Sequence, residues 1–511
     1  TQASEGKRMN NVKTAVSVSA ISGGREISVK NSDKTEITVD SSGKIFIRNP
    51  DVGVAFIKLV FDRPFSENAL IYGDAFERGY GDLRWKKDRR DALRWYFIAA
   101  DGADYFAYGV KTQPDSLCSW HVFEDRVELI CDIRSGTDET FHSDMFCTAQ
   151  LVFSDGSGSL HEFCRDFCMK LCDNPSVCNR PVFGANDWYC NYGDSSAAKI
   201  LRTAEFTVRC ADGLPYKPFV VVDDGWQKNH SDTFNGGEWD GANEKFRDMR
   251  ALADDIAETG AIPGLWFRPL QSKINLPDEC FSDKAEFLLD PSHPQVLATV
   301  KNDMERFYAW GYRLVKYDFV TADIFRHWGF EMPDGYFDRE MHFYDGTKTT
   351  AQIIKNLYKT IRDAAPPDMF LLGCNAIGHL AAGYINMQRT GDDTSGEQWA
   401  RTKKMGVNTL AFRMMQHGTF FDADADCVGL TDKIPLRLNA RWLDVLAKSS
   451  TPLFISAAEN METDETARLI TDAFANAVKY RAPSVPLDWL DSLTPVEWGS
   501  GAGHDLYCWE Q

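Results

Sequence analysis

The 511-residue chain lacks several features that mark whole classes of protein. No apolar run reaches the roughly 18 residues that a transmembrane helix needs, so no membrane-spanning segment is expected. Basic residues are in deficit, because 56 Lys and Arg stand against 75 Asp and Glu, a formal net charge of −19. Since the neutralisation of phosphates requires a basic surface, this charge argues against nucleic acid and an anionic membrane as partners.

A hydrophobic leader and a metal-binding cysteine pattern are also missing. The N-terminal stretch TQASEGKRMNNVK has no apolar core and is not a secretion signal, although a trimmed leader stays an alternative. The 13 cysteines include no C-x-x-C pair followed by a second pair at zinc spacing. Cys164, Cys168 and Cys172 recur at the spacing of one packed helix face. We therefore expect reduced thiols, a cytoplasmic protein and no bound metal.

Aromatic residues, by contrast, are abundant: the chain has 14 Trp, 17 Tyr and 33 Phe. Aromatic faces stack on the C–H faces of sugar rings, although most such rings serve the hydrophobic core. The length predicts two or three domains rather than a single core.

Residues 1–175 are predicted to form an N-terminal antiparallel β-sandwich domain. Short segments of alternating polarity are separated by Gly, Asp and Ser turns, which is typical of antiparallel strands. These segments are 14–20, 25–31, 35–40, 44–49, 125–133 and 148–155. A short helix near 159–173 then leads to the proline-containing linker DNPSVCNRP.

Residues 176–480 alternate between apolar strands and amphipathic helices, which predicts a catalytic (β/α)₈ TIM barrel. The predicted strands are 181–187, 218–224, 262–268, 312–318, 369–375, 384–390, 418–424 and 451–456. An open doubly wound sheet would need a glycine-rich phosphate turn after its first strand, and GANDWYCNYG (184–193) has none. Residues 481–511 are predicted to be a C-terminal β segment that can belong to a larger domain.

Two of these predicted strands end at aspartate residues. FVVVDDGW (219–226) stops at Asp223 and Asp224, and RLVKYDFV (313–320) stops at Asp318. Because barrel enzymes carry their chemistry at the carboxyl ends of the strands, these acids predict an acid-lined pocket suited to sugar hydroxyls. A metal site is the alternative, but DADAD (422–426) lacks the glycine and distal glutamate of a calcium loop.

The predicted strand ends bring a larger set of polar and aromatic side chains to one rim. The set is Asp187, Trp188, Asp223, Asp224, Trp226, Trp266, Arg268, Lys316, Asp318, Asn375, Arg389, Asp392, Asp393, Asp422, Asp424 and Asp426. Lys316 and Asp318 lie two residues apart, so both point to the same face of their strand. We expect Lys316 to hold Asp318 ionised, as a nucleophile at an anomeric carbon requires, while a second carboxyl acts as acid.

The motifs GANDW, VVVDDGW, GLWFRP, LVKYDF, RTGDD and TPLFIS resemble the melibiase superfamily, glycoside hydrolase families 27 and 36 of clan D. The resemblance covers about residues 180–460, and the preceding β domain is similar to that of family 36. It implies a retaining α-galactosidase with Asp318 as the nucleophile and Lys316 against the ring hydroxyls. It also implies that Asp223 and Asp224 bind the axial O4 and the O6 of galactose.

The general acid is assigned less directly. The glycine-rich stretch that carries it in family 36 is missing, whereas the family 27 spacing of arginine and aspartate gives Arg389 and Asp393 in QRTGDDTSGEQW. Asp392 is the alternative, and we favour Asp393, with a pKa raised by the charge of the nucleophile. The resemblance places Arg389 near the 2-hydroxyl. Gly225 replaces a family 27 cysteine, so no disulfide is expected there.

The sequence thus predicts a retaining, exo-acting α-glycosidase, foremost an α-galactosidase, that uses double displacement and no cofactor. The partner is an α-linked galactoside or a related glycoside, and a homo-oligomer stays open. Alternatives on the same fold are a β-L-arabinopyranosidase, an α-N-acetylgalactosaminidase, an isomaltodextranase-like α-glucosidase or a raffinose-synthase-like transglycosylase. A non-catalytic sugar-binding protein is the alternative from another class.

Overall fold

The computed structural model of the chain describes residues 15, 17–28, 35–49, 51–88, 91–139, 143–282, 286–479, 482–500 and 503–510. The N-terminal stretch that lacks a secretion signal, and parts of the predicted strands 14–20 and 25–31, lie outside these residues. Within them, no helix is both long enough and apolar enough to cross a bilayer.

The N-terminal region forms an 11-stranded sheet in which neighbouring strands run antiparallel. Its strands are β1 (Ser17–Ser22), β2 (Arg25–Ser28), β3 (Glu36–Val39), β4 (Lys44–Arg48), β5 (Phe56–Asp62), β6 (Leu70–Asp74), β7 (Leu93–Asp101), β8 (Asp104–Val110), β9 (Leu117–Val122), β10 (Arg126–Asp132) and β11 (Phe146–Ser157). The order is β2-β1-β5-β10-β9-β7-β8-β11-β4-β3, with β6 beside β7. The predicted antiparallel β structure is confirmed, and the two-layered sandwich stays a prediction.

The sequence analysis did not identify β5 to β9. In β7 both faces are covered, and all but its last residue are buried. Its sequence LRWYFIAAD is therefore apolar throughout and lacks the alternation by which a half-buried strand is recognised.

The second region is built on a 9-stranded parallel sheet. Its strands are β12 (Phe183–Asn186), β13 (Phe219–Val222), β14 (Ile262–Phe267), β15 (Leu314–Tyr317), β16 (Phe370–Gly373), β17 (Met387–Arg389), β18 (Asp422–Asp424), β19 (Cys427–Leu430) and β20 (Leu453–Ala457). The order is β18-β17-β16-β15-β14-β13-β12-β20-β19. The two strands at the ends of this order, β18 and β19, are therefore consecutive in the chain. Each predicted strand overlaps an observed one, whereas β19 was not predicted.

The interruption between β18 and β19 has a local cause. Asp426 has a φ of 70°, in the left-handed region that extended strands do not use. The chain therefore stops pairing with β17 at Asp424 and begins to pair with β20 at Cys427. The consequence is that the acids of the DADAD run point toward different neighbours.

Helices cover the parallel sheet and join its strands. They are Trp188–Asn191, Ala197–Cys210, Met249–Thr259, Pro294–Trp310, Val320–Phe325, Thr350–Ala364, Gly378–Ala381, Trp399–Thr402, Thr409–Arg413, Leu436–Lys448 and Asp464–Lys479, whereas Leu160–Leu171 packs against β8 and β11 of the antiparallel sheet. Short 3₁₀ turns occur at Asp278–Cys280, Gly329–Glu331 and Glu459–Met461. A π-helical segment, Lys403–Asn408, separates the helices Trp399–Thr402 and Thr409–Arg413.

The π-helical segment packs closely against the loop after β17. A Cβ at Gly391 would lie 2.0 Å from the Met405 carbonyl oxygen, so only glycine fits there.

The C-terminal β prediction is also confirmed. β21 (Val485–Pro486), β22 (Glu497–Ser500) and β23 (Gly503–Leu506) form a 3-stranded antiparallel sheet.

The N-terminal region reaches across the carboxyl ends of the parallel strands. The amide of Gly79 donates to the Thr390 carbonyl over 2.8 Å, and the amide of Asp392 donates to the Gly79 carbonyl over 2.9 Å. The buried Arg413 side chain donates to Asp74 over 2.9 Å. Both regions therefore contribute to the rim on which the candidate site lies, while the domain boundaries proposed from the sequence stay predictions.

Candidate active site

Asp318 directly follows β15 and is held at both carboxylate oxygens. Its Oδ1 accepts the Phe319 amide over 2.8 Å, and its Oδ2 accepts the Trp266 indole N–H over 3.2 Å. The chain turns sharply at this point, because Phe319 has a φ of 63°. The side chain is 8% exposed, so it is oriented by neutral donors at the edge of the buried interior.

Lys316 forms its ion pair with Asp223. The sequence analysis instead expected the charge of Lys316 to act on Asp318. The Lys316 Nζ lies 2.7 Å from Asp223 Oδ2, and the Asn186 side-chain amide donates to the same oxygen over 2.5 Å. Burial lowers the pKa of Lys316, but the surrounding negative charges, chiefly that of Asp223, together outweigh this and leave the pKa well above its usual value. The fixed ammonium joins β15 to the end of β13.

Asp223 and Asp224 have different surroundings although they are adjacent. Asp224 accepts from the Gln227 amide over 2.7 Å and the Asn235 amide over 3.2 Å, and His230 Nε2 lies 3.7 Å away. Burial, opposed by the Gln227 hydrogen bond, raises the pKa of Asp224 to about 6. Asp224 therefore takes up a proton in mildly acidic solution.

Asp187 lies beneath this pair and supports it. Its Oδ1 accepts the backbone amide of Asp223 over 2.8 Å, and its Oδ2 accepts the Asn191 amide over 3.2 Å. Burial raises the pKa of this carboxyl. The neighbouring Trp188 is only half-buried, with its ring 5.8 Å from that of Tyr192, so it has surface available to a ligand.

Arg389 is 1% exposed and connects several strand ends. Its Nη2 lies 2.8 Å from Asp426 and 3.3 Å from Asp393, and its Nη1 lies 3.4 Å from the Cys374 sulfur. Asp426 also accepts from the Thr394 amide over 2.8 Å. This arginine neutralises acids that the sequence analysis considered as metal ligands.

The other acids of the DADAD run have separate partners. Asp422 accepts the Cys178 amide over 2.9 Å, while Asp424 Oδ2 lies 4.0 Å from Arg389 Nε. Burial raises the pKa of Asp424 to about 6. Among the residues described, no three His, Cys, Asp or Glu side chains are grouped as metal ligands would be.

The structure separates Asp392 from Asp393. Asp392 is bound on both oxygens, by Arg78 at 2.9 Å and by Arg401 at 2.8 Å. The Asp393 side chain is 37% exposed, and its ion pair is with Arg389. Asp393 is therefore the more accessible carboxyl of the two.

The pKa of Asp393 shifts in the opposite direction to the one expected. Burial raises the pKa, but the charges of Arg389, Arg78 and Lys316 outweigh this and leave it below its usual value. The sequence analysis considered the negative nucleophile alone. Arg389 lies four residues before Asp393, whereas Arg78 and Lys316 are contributed by segments that are distant in the chain.

Two of the three predicted tryptophans, Trp226 and Trp266, are buried. Trp226 has no exposed surface and donates from its indole to the Trp266 carbonyl over 2.9 Å, so a ligand has no surface to contact there. Trp266 is 1% exposed and orients Asp318. Asn375 is likewise fully buried, and its side-chain oxygen accepts the Ala322 amide over 3.0 Å.

Arg78 is the main site residue that the sequence analysis missed. It is 5% exposed, belongs to the N-terminal region, and has its Nη1 3.6 Å from the Cys374 sulfur. No motif surrounds it in FERGYGD, and only the fold brings it to the rim. The charge pattern of the candidate site therefore depends on both regions of the chain.

No family model matches the chain. Solved structures do, among them TtGalA, an α-galactosidase from Thermus thermophilus in complex with p-nitrophenyl α-D-galactopyranoside. That match has a TM-score of 0.61 and 15% identity, and covers 93% of this chain and 99% of the other. For the family 36 α-galactosidase AgaA from Geobacillus stearothermophilus, the TM-score is 0.60, the identity 16%, and the coverage 86% and 66%.

Likeness at this level of identity concerns the fold. The match extends through both the antiparallel and the parallel region, as its 93% coverage requires. The chain therefore has the fold of the family 36 α-galactosidases, and the resemblance to the melibiase superfamily that its strand-end motifs indicated is confirmed at the level of the fold.

Proposed function

We propose that the protein is a retaining, exo-acting α-galactosidase that works by double displacement. The observation that carries this proposal is the contrast between two acids at one rim. Asp318 has both oxygens fixed by neutral donors, and Asp393 has a side chain that is 37% exposed. A nucleophile needs a fixed direction of attack, whereas an acid/base must reach first a leaving group and then water.

In this mechanism Asp318 attacks the anomeric carbon while Asp393 protonates the glycosidic oxygen. The resulting glycosyl ester on Asp318 is then hydrolysed by a water that Asp393 deprotonates. Both carboxyls return to their starting state, so the cycle needs no cofactor. A bound sugar excludes water from Asp393 and raises its pKa, which counteracts the cations that lower it in the free protein.

The sugar is proposed to lie against Asp223 and Asp224. Ionised carboxylates are strong acceptors for hydroxyl groups, and an axial O4 together with O6 would use both acids. Lys316 supplies a donor beside them, because it is fixed on Asp223. Trp188, which is half-buried, offers a face for the apolar side of the ring.

The same proposal includes a closed architecture. β18 and β19 are separated by two residues and pair with β17 and β20 respectively. We propose that they are one interrupted strand of an eight-stranded barrel. The carboxyl ends of all its strands would then face one pocket, as a (β/α)₈ enzyme requires.

The test is hydrolysis of 4-nitrophenyl α-D-galactopyranoside by the wild type and by Asp318→Asn. Proton NMR follows which anomer of galactose is released first. We expect the α anomer, and a loss of at least about a thousandfold in kcat for the variant. Initial release of the β anomer would contradict the retaining mechanism.

A panel of glycosides separates the alternatives. β-L-arabinopyranosides, α-N-acetylgalactosaminides and α-glucosides test the ring substituents, and the ratio of hydrolysis to transfer tests a transglycosylase. Binding of galactose without turnover of any of these substrates would support a sugar-binding protein instead.

A further inference from the structure

A strip of aromatic rings leads from Asp318 toward the surface; it comprises Phe319, Trp328, Tyr80 and Phe330. The Phe319 and Trp328 ring centroids lie 5.4 Å apart, and those of Tyr80 and Phe330 lie 4.5 Å apart. Arg78 connects the two pairs, because its guanidinium carbon lies 5.0 Å from the Trp328 ring and 5.8 Å from that of Tyr80. The strip thus begins at the residue next to the proposed nucleophile.

The outer end of the strip is an exposed but fixed ring. Phe330 is 60% exposed and lies in the turn Gly329–Glu331. This turn is tied to the N-terminal region by the Gly329 amide, which donates to Glu77 over 2.8 Å, and it is closed internally by the Trp328 amide, which donates to Glu331 over 3.0 Å. An aromatic face held at the surface, in contact with partly buried rings that lead back to Asp318, is a place where the apolar face of a ligand ring can stack.

Charged groups lie along the strip. Arg78, which contacts Trp328 and Tyr80, also binds Asp392, and Asp392 is bound in turn by Arg401, whose side chain is 39% exposed. A sugar ring presents C–H groups on its faces and hydroxyls at its edge. An aromatic platform beside carboxylate and guanidinium groups matches both properties.

We infer that the strip is the subsite for the leaving group, with Phe330 as the platform on which the first sugar ring of an oligosaccharide leaving group stacks. This inference rests on the proposed function. It follows that the preferred substrates are α-galactosyl oligosaccharides and not galactosides of small alcohols. Because Tyr80 belongs to the N-terminal region, that region takes part in choosing the leaving group.

The test compares two substrates that share a galactosyl group. Raffinose has a sucrose leaving group, whereas α-galactosyl fluoride has a leaving group with no ring. For Phe330→Ala we expect the ratio of kcat/KM for raffinose to kcat/KM for the fluoride to fall about five- to tenfold. Phe330→Tyr, which keeps the ring, should restore most of the wild-type ratio. Phe123→Ala is the matched control, because Phe123 is an exposed phenylalanine (37%) in the turn between β9 and β10, outside the strip.

The outcomes separate the two proposals. If the wild type hydrolyses the fluoride and Phe330→Ala keeps the wild-type ratio, the leaving-group subsite is wrong and the proposed function stands. If the wild type hydrolyses neither substrate, the proposed function fails and the inference fails with it. A fall in the ratio for Phe123→Ala as large as that for Phe330→Ala would also overturn the assignment of the platform.

Discussion

At the scale of single residues, the adjacent Asp392 and Asp393 differ in their ion pairs and in the exposure of their side chains. Asp392 is engaged by Arg78 and Arg401, whereas Asp393 shares the charge of Arg389 and keeps 37% of its side chain exposed. Sequence spacing alone left both as candidates for the general acid. The ion pairs favour Asp393, because a proton donor must be free to approach the glycosidic oxygen.

The first prediction compares these two residues. Asp393→Asn should lower kcat for raffinose by about a hundredfold or more, because protonation of the leaving group is lost. The loss should be smaller for a 4-nitrophenyl galactoside, whose leaving group needs less protonation. Steady-state kinetics with both substrates measure the difference.

Asp392→Asn is the control for this pair. It weakens ion pairs at the rim but leaves the proposed proton donor in place, so within a series of aryl galactosides, which have no sugar in the leaving group, its effect on kcat should not depend on the leaving-group pKa. If Asp392→Asn discriminated between the leaving groups and Asp393→Asn did not, the assignment of the general acid would be reversed.

A second residue-scale prediction concerns pH. The pKa of Asp224 is raised to about 6, so below that pH the carboxyl is protonated and above it the carboxyl is ionised. An ionised carboxylate accepts hydroxyl hydrogen bonds more strongly, so KM should rise as the pH falls through 6. Asp224→Asn should have a higher KM at pH 7.5 and should lose this inflection. An unchanged inflection in the variant would assign the titration to another group.

At the scale of elements, a docked segment of the N-terminal region, residues 77–80, contributes positive charge at the carboxyl ends of the parallel strands. The Gly79 and Asp392 backbones pair, and the Arg78 guanidinium is thereby placed where its charge lowers the pKa of Asp393. A local segment of one region thus tunes an acid of the other. This coupling is a property of the packing and leaves no periodic signal in the sequence.

The third prediction follows from this electrostatic effect. Arg78→Gln removes a positive charge near Asp393, so the pKa of Asp393 should rise. The alkaline limb of kcat/KM against pH, which reports the acid in the free enzyme, should shift upward. Arg78→Lys keeps the charge and should shift the limb less.

Arg401→Gln serves as the comparison, since Arg401 binds the same Asp392. Its charge is not among those that chiefly lower the pKa of Asp393, so the limb should stay in place. Equal shifts in the Arg78 and Arg401 variants would indicate a general disturbance of the rim rather than the proposed electrostatic role.

The same scale shows what sequence reasoning can reach. The short parallel strands were predictable, because strands buried on both faces are continuous apolar runs that stop where polar side chains begin. VVVDDGW and LVKYDF therefore located Asp223 and Asp318 at their strand ends. The pairing of Lys316 with Asp223, the break at Asp426 and the entry of Arg78 depend on contacts between distant segments, which one sequence does not display.

At the scale of the whole molecule, the N-terminal and parallel-sheet regions share a buried interface. The Tyr72 ring stacks on Phe412 with centroids 5.7 Å apart, and the Trp95 ring stacks on His379 at 5.4 Å. Burial lowers the pKa of His379 to about 3, so this ring stays neutral between aromatic neighbours at ordinary pH. The interface therefore has a buried aromatic part and is expected to unfold together with the regions that it joins.

Arg413 provides the test of this cooperation. It is 4% exposed and donates to Asp74 and, over 2.9 Å, to the Thr390 carbonyl, so it ties the N-terminal region to the loop before Asp392. Removal of one partner of a buried ion pair costs about 3–5 kcal/mol. Arg413→Ala should lower the free energy of unfolding by that order and reduce activity at temperatures where the wild type is folded.

The decisive feature is the number of transitions. If the regions unfold as one unit, tryptophan fluorescence, far-ultraviolet circular dichroism and residual activity will give coincident thermal transitions for Arg413→Ala, all shifted to lower temperature. If the N-terminal region unfolded first while hydrolysis of α-galactosyl fluoride persisted, the parallel region would suffice for catalysis. In that case Arg78 and the docked segment would affect only the leaving group, and the electrostatic coupling to Asp393 would have to be abandoned.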